Sequence, residues 1–287
     1  MSKAGQIRNL LVKPGILVLP GAYDALSARL AALAGFEVVF TSGFGLAASA
    51  LGLPDLGLMT MTESLDRVRH IVHAVDVPVV ADMDTGYGNP LNVMRTVEEC
   101  LSLGVAGMIL EDQEWPKKCG HMEGKRVIPL EEHVQKLKAA IHARGTDDLI
   151  LIARTDARAP LGLDEAIRRG LAYRDAGADV VFIEAPRSVE ELEQIAQAIP
   201  DIPLFANMIE GGKTPFLTAE QLAQLGYKMV VFPLSALFSA ASAVLETLRS
   251  LREHGTTVDG ADLVSFHEFE KMIGLQRFRE LERRFVS

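Results

Sequence analysis

Little cysteine, no excess of positive charge and no long unbroken apolar run characterise this sequence. Its 287 residues include two cysteines, Cys100 and Cys119. That is too few for a disulfide framework and points to a reducing compartment, the cytoplasm. Lysine and arginine total 29 against 38 aspartates and glutamates, a formal net charge of −9. With no basic stripe either, a nucleic-acid partner is not expected. The apolar stretch 10–20 is broken by Lys13, Pro14 and Gly15, which does not suit a signal peptide. The run 229–245 has no charge, but it contains Pro233, Ser235, Ser239 and Ser242. It falls short of the roughly 20 residues of a spanning helix, so no membrane partner is expected. Linkers, low-complexity tracts and repeats are also lacking. Hydrophobic residues make up 48% and charged residues 23%, enough for a sizeable core and against global disorder.

Short, nearly continuous apolar runs recur at 16–20, 37–41, 78–81, 107–110, 149–153, 179–183, 203–206 and 229–233. They read as strands covered on both faces of a parallel sheet. Helical patterns lie between them, as in Leu65, Val68, Ile71, Val72 and Val75, and again in Val134, Leu137 and Ile141. Capping boxes pair Thr60 with Glu63, Ser188 with Glu191 and Thr218 with Gln221. Gly145, Gly177 and Gly226 mark helix ends. Eight strand–helix units in about 235 residues predict an α/β fold, a closed (β/α)8 TIM-type barrel. An open doubly wound sheet is the alternative. A helix over 236–253 follows the eighth strand. Segment 262–285 carries Leu263, Phe266, Phe269, Met272, Ile273, Phe278, Leu281 and Phe285, and no barrel needs it for closure. The expectation is one domain, 1–287, with 254–287 as a C-terminal helical extension that packs on the barrel or on a second subunit.

The active site of such a barrel lies at the carboxyl ends of its strands. There the sequence places Asp82 and Asp84, Glu111 and Asp112, Arg154 and Asp156, Glu184, and Asn207 with Glu210. Converging acids without nearby lysines repel one another unless a cation sits among them. Hard oxygen ligands suit Mg2+ or Mn2+; the alternative is a set of caps and salt bridges with Arg154 and Lys117. Asp82 and Asp84 alternate along the strand, so both aim inward only if the strand end twists or bulges. The connection 112–129 is long, which suggests a functional lid. On it Cys119 stands between Lys118 and His121. Such cations lower a thiol pKa towards neutrality, suiting an acid/base or a nucleophile. Cys100, in a helical pattern, reads as inert and buried. The stretch Thr41-Ser42-Gly43-Phe44-Gly45 exposes donors for a carboxylate or a phosphate.

Lys117-Lys118-Cys119-Gly120-His121 resembles the signature loop of the isocitrate lyase / phosphoenolpyruvate mutase superfamily. Gly52-Leu53-Pro54-Asp55, the block 82–88, Glu111-Asp112-Gln113, the block 153–156 and the block 207–215 are similar to that family's motifs, in order. The resemblance runs from about residue 15 to the C-terminus. It implies a (β/α)8 barrel, Mg2+ (or Mn2+), a small dicarboxylate substrate, and a homotetramer whose paired subunits exchange C-terminal helices. By motif, Asp82 and Asp84 would hold the metal, and Asp55 and Glu111 would stand near it and its waters. Cys119, Arg154 and Glu111 would carry the chemistry. Ser42, Gly43, Phe44, Asp55, Lys117, Gly120, His121, Arg154, Glu184 and Asn207 would face the substrate. The implied reaction cleaves a carbon–carbon bond in a 2-hydroxy or 2-oxo diacid of the 2-methylisocitrate, 2,3-dimethylmalate or oxaloacetate type. The alternative is a phosphonomutase. Phe238, where the methylisocitrate lyase branch has an arginine, weighs against a tricarboxylate and for an alkyl-substituted or smaller diacid.

Overall fold

The eight apolar runs become eight strands because each has a helix to cover its outer face and the barrel interior to fill on its inner one. The computed structural model describes residues 1–257 and 263–286. Its strands are β1 Leu17–Ala22, β2 Val39–Thr41, β3 Val79–Asp82, β4 Gly107–Glu111, β5 Ile150–Thr155, β6 Val180–Ile183, β7 Leu204–Asn207 and β8 Met229–Phe232. All pair in parallel with their sequence neighbours, and β1 also pairs with β8. That last pairing closes the barrel and excludes the open sheet.

The helices are α1 Lys3–Leu11, α2 Ala25–Leu33, α3 Gly43–Leu51, α4 Met61–Ala74, α5 Pro90–Leu103, α6 Leu130–Arg144, α7 Arg158–Leu161, α8 Leu163–Asp175, α9 Val189–Ala198, α10 Ala219–Gln224, α11 Ser235–His254, α12 Phe266–Met272 and α13 Leu275–Phe285. Thr60 and Thr218 form the reciprocal boxes their sequences predict. Ser188 forms half of one: it accepts from Glu191 N–H, but the Glu191 carboxylate is held by Arg158 and by the Arg187 N–H. A tertiary ion pair has replaced a local contact.

Every strand contributes to one inner cluster, including Leu19, Phe40, Val80, Ile109, Ile152, Phe182, Phe205 and Val231. Ala4 and Ile7 of α1 join it and plug the N-terminal end, a role that reading the strands from residue 16 onward missed. At the other end Phe40 and Phe182 each pack against Phe205, with centroids 6.3 and 5.0 Å apart. The outward residues of the strands pack under α2, α4, α5, α6 and α8 to α10.

α11, α12 and α13 bury no residue within the chain. Arg29 of α2 donates to the Met272 carbonyl of the tail. Asp262, where the tail was taken to begin, lies outside the described residues. No helix among the described residues is long and apolar enough to cross a membrane.

Candidate active site

β3 ends at Asp82, and the backbone then turns through a left-handed Asp84, φ 51°. A non-glycine residue there costs about 1 kcal/mol or more. The turn cancels the strand alternation: Asp84 N–H donates to Asp82 Oδ1 at 3.1 Å, and both carboxylates reach one site. Glu111 and Arg154 are register partners on β4 and β5, so the sheet itself places Arg154 Nε 3.3 Å from Glu111 Oε2. Arg154 also pairs with Asp156 (2.9 and 3.1 Å) and with Glu184 (3.2 Å), and lies over the Phe182 ring. Asn207 Nδ2 donates to Glu184 Oε2 at 3.2 Å.

The connection 112–129 is not structureless. Gln113 bridges Val127, Glu114 N–H donates to the Arg126 carbonyl, and the Gln113 amide holds both the N–H and the carbonyl of Lys118. So braced, the loop lies folded over the barrel mouth. Lys117 Nζ stands 2.6 Å from both Asp55 and Asp84. The acids therefore do have a lysine among them, which corrects the expectation drawn from the strand ends alone. Burial opposes the charge on Lys117, yet Asp84, Asp55 and Glu111 outweigh it and hold its pKa well above the usual value. His121 Nδ1 accepts the Lys213 N–H at 2.8 Å, which leaves its proton on Nε2, 3.1 Å from Glu184. Gly120 packs directly on the ion pair beneath: a Cβ there would meet Arg154 Nη2 at 2.5 Å and Glu184 Cδ at 2.6 Å.

Cys119 overturns one expectation. Its pKa is not lowered: burial pushes it up to about 11, partly offset by the His121 N–H. The flanking cations face elsewhere, Lys118 donating to the Gly124 carbonyl and His121 turned to Glu184. A thiol in this setting stays protonated and is a proton donor rather than a thiolate nucleophile. Cys100 is fully buried and is pushed up to about 12 by burial. Burial raises Asp84 to about 6 against the opposing charge of Lys117, and raises Glu111 well above the usual carboxylate range against Arg154. Glu184 is the contrary case: burial is outweighed by Arg154 and His121, and its pKa is lowered.

The resulting pocket encloses about 450 Å3, mouth included. Ser42, Phe44, Asp55, Asp82, Glu111, Lys117, Lys118, Cys119, Gly120, Arg154, Glu184 and Asn207 line it, with an apolar wall of Phe40, Phe182, Ile209, Val231, Pro233 and Leu234. Gly43, Asp84 and His121 stand one contact behind: Gly43 N–H faces Asp82 Oδ2 at 3.4 Å, Asp84 meets Lys117, and His121 meets Glu184. Ser42 also caps α3. Phe238 is 40% exposed and is not among the lining residues. Phe238 therefore gives the pocket of this chain no apolar contact. Strand-end reading counted Asp112 and Asp156 only among the converging rim acids, and Lys125 was one loop residue among many. All three are buried. Asp112 accepts from Thr155, Arg169, Tyr173 and the Asp156 N–H. The direct repetition of acids after β4 and β5 was the only signal for this network.

Among the described residues no group of three or more His, Cys, Asp or Glu side chains is arranged to hold a metal. Two carboxylates with room for waters are what Mg2+ ordinarily takes from a protein. The Asp82–Asp84 pair supplies the two carboxylates, and the buried Glu111 Oε1 beside it has no hydrogen-bond partner, an acceptor left for a bound water or substrate. The donor set fits a hydrated divalent cation.

The profile of the family described as phosphoenolpyruvate phosphomutase matches residues 7–252. The chain is 46% identical over 288 residues to 2,3-dimethylmalate lyase of Eubacterium barkeri, covering 100% of this chain and 99% of that protein. It superposes on an oxaloacetate acetylhydrolase in complex with 3,3-difluorooxalacetate with TM-score 0.94 and 39% identity, covering 98% and 96% of the two chains. A phosphonopyruvate hydrolase in complex with oxalate and Mg2+ superposes with TM-score 0.89 and 33% identity, each chain covered completely. With these relatives and this site, the chain belongs to the phosphoenolpyruvate mutase/isocitrate lyase superfamily and is an enzyme of it.

Proposed function

We propose that the protein is a Mg2+-dependent lyase (Mn2+ serving as well) that cleaves a carbon–carbon bond of a 2-hydroxy or 2-oxo dicarboxylate. The observation that carries this reading is the Cys119 thiol on a loop folded over a pocket lined by Asp82, Glu111 and Arg154. Asp82 and Asp84 would hold the ion, directly or through water, and bound there it would polarise the hydroxyl and the neighbouring carboxylate of the substrate. The Ser42 hydroxyl and Gly43 N–H receive one carboxylate, and Arg154 and Asn207 orient the other end. For a 2-hydroxy diacid, Glu111, through its unpartnered Oε1, accepts the hydroxyl proton. The C2–C3 pair of electrons leaves with C3 as an enolate, C2 becomes the carbonyl of a 2-oxo acid, and Cys119 returns a proton to C3. Arg154 and Lys117 stabilise the departing charge, and the folded loop excludes water. Phe182, Ile209, Val231 and Leu234 favour a small or alkyl-substituted diacid over a tricarboxylate.

The test is a panel of oxaloacetate, 2-methylisocitrate, isocitrate and alkylated malates assayed with Mg2+, reading release of pyruvate, glyoxylate or oxalate. No release from any of them sinks the reading. The match to a phosphomutase family keeps a second reading open, a phosphonomutase using the same pocket. A new carbon–phosphorus signal in 31P NMR from a phosphorus-bearing enolpyruvate would favour it. The exposed apolar faces of α11 to α13 support a further part of the proposal, a homotetramer built from dimers that exchange these helices.

A further inference from the structure

The proposed chemistry makes no use of Lys125, which lies on the same loop as Cys119 but outside the pocket. Its side chain is fully buried. A buried ammonium is costly unless it is paired and hydrogen-bonded, and Lys125 has two partners on opposite sides of a seam. It donates to the Gly120 carbonyl on the loop and, at 2.6 Å, to Asp156 Oδ1 on the barrel. The barrel side is rigid: Asp156 grips Arg154 with both oxygens and takes its place from Asp112, which α8 anchors through Arg169 and Tyr173. The loop side is the carbonyl of the residue next to the thiol.

The loop's other charged ties to the barrel differ in kind. Lys117 and His121 end on Asp55, Asp84 and Glu184, acids at or next to the pocket. Lys125 and Asp156 are not among the residues lining it, so their contact lies outside the space a ligand would fill. We propose that Lys125 is the latch of this loop: a positioning residue that fixes Gly120, and through it Cys119, over the pocket and ties loop closure to the setting of Arg154. The latch rests on the proposed function only for what the held thiol does.

The test uses the two cysteines. Cys100 is sealed in the core, so the reaction of the native full-length chain with 5,5′-dithiobis(2-nitrobenzoate), without ligand, reads exposure of Cys119, and Cys119→Ser identifies that phase. Lys125→Met should speed it by about ten- to a hundredfold, the range set by one charge-assisted hydrogen bond. Lys125→Arg should keep it slow. Lys125→Gln serves if the methionine variant does not fold. An unchanged labelling rate in either folded variant overturns the latch. On a diacid that the wild type cleaves, kcat should fall with KM held within about threefold; a raised KM at unchanged kcat also overturns it. Faster labelling with no diacid cleaved by the wild type would leave the latch standing and remove the proposed reaction. Cleavage with unchanged labelling would do the reverse.

Discussion

Cys119 keeps its proton because its surroundings desolvate it and Asp55 and Glu184 oppose the pull of Arg154, so its value as an acid comes from position rather than from a lowered pKa. Cys119→Ser should lower kcat by about a hundredfold or more, the usual scale for a positioned acid. Dicarboxylate binding in the presence of Mg2+, read by calorimetry, should persist. Near-normal turnover of the variant would remove the thiol from the mechanism. His133 shows the same physics acting on stability. It is fully buried against the Tyr173 ring, and neither ring nitrogen has a partner. Burial, then Lys136 and Arg169, push its pKa down to about 3. Between that value and its ordinary one near 6.5, the unfolded chain takes a proton that the folded chain refuses. Stability from this residue is thus intact above pH 6.5 and falls on acidification by about 1.4 kcal/mol per pH unit. In urea titrations at pH 7 and pH 5, His133→Phe should lose less stability than the wild type. Equal losses would contradict the argument.

At the scale of elements, the connection from β4 to α6 is tied down by backbone pairing and by two buried lysines, Lys117 and Lys125. Gly120 is the point of closest approach, and its lack of a side chain is steric, not conformational. Gly120→Ala puts a methyl into Arg154 and Glu184, so the loop should stand off while the barrel beneath stays intact. The expected result is a kcat lower by about tenfold or more with a melting temperature close to the wild type's. A variant with normal kcat would show that the loop does not need this contact. Asp112 works beneath the floor: its carboxylate satisfies three side-chain donors and one backbone donor. Asp112→Ala leaves Arg169, Tyr173 and Thr155 facing an empty buried space. Urea unfolding should show a loss of about 3–5 kcal/mol, the cost of breaking a buried pair on one side.

For the whole molecule, the last three helices leave apolar faces uncovered. Val244, Leu245, Leu248 and Leu251 follow helical spacing on α11, and all are 44% exposed or more. Phe278, Leu281 and Phe285 repeat the pattern on α13. Contiguous apolar surface of this kind marks an interaction site. Leu248→Glu together with Phe278→Glu should lower the mass seen by sedimentation equilibrium. A wild type that sediments as a monomer would refute the proposed assembly.

Local sequence determined the parts that depend on short-range rules. Eight apolar runs gave eight strands, Thr60 and Thr218 capped their helices, and the acids at the strand ends arrived on one rim because strand polarity in a parallel barrel leaves them no other. What depends on packing was decided elsewhere. Closure needed β1 to meet β8, more than two hundred residues away in the chain. The half-formed cap at Ser188 turned on Arg158, and the shared aim of Asp82 and Asp84 on a left-handed turn. Cys119 looked activated because its sequence neighbours are cations, but a pKa answers to neighbours in space, and folding turned the Lys118 ammonium to the Gly124 carbonyl and surrounded the thiol with protein. Lys125, indistinct in the sequence, became buried between loop and barrel for the same reason: the dielectric around a charge and the partners it meets are properties of the tertiary structure.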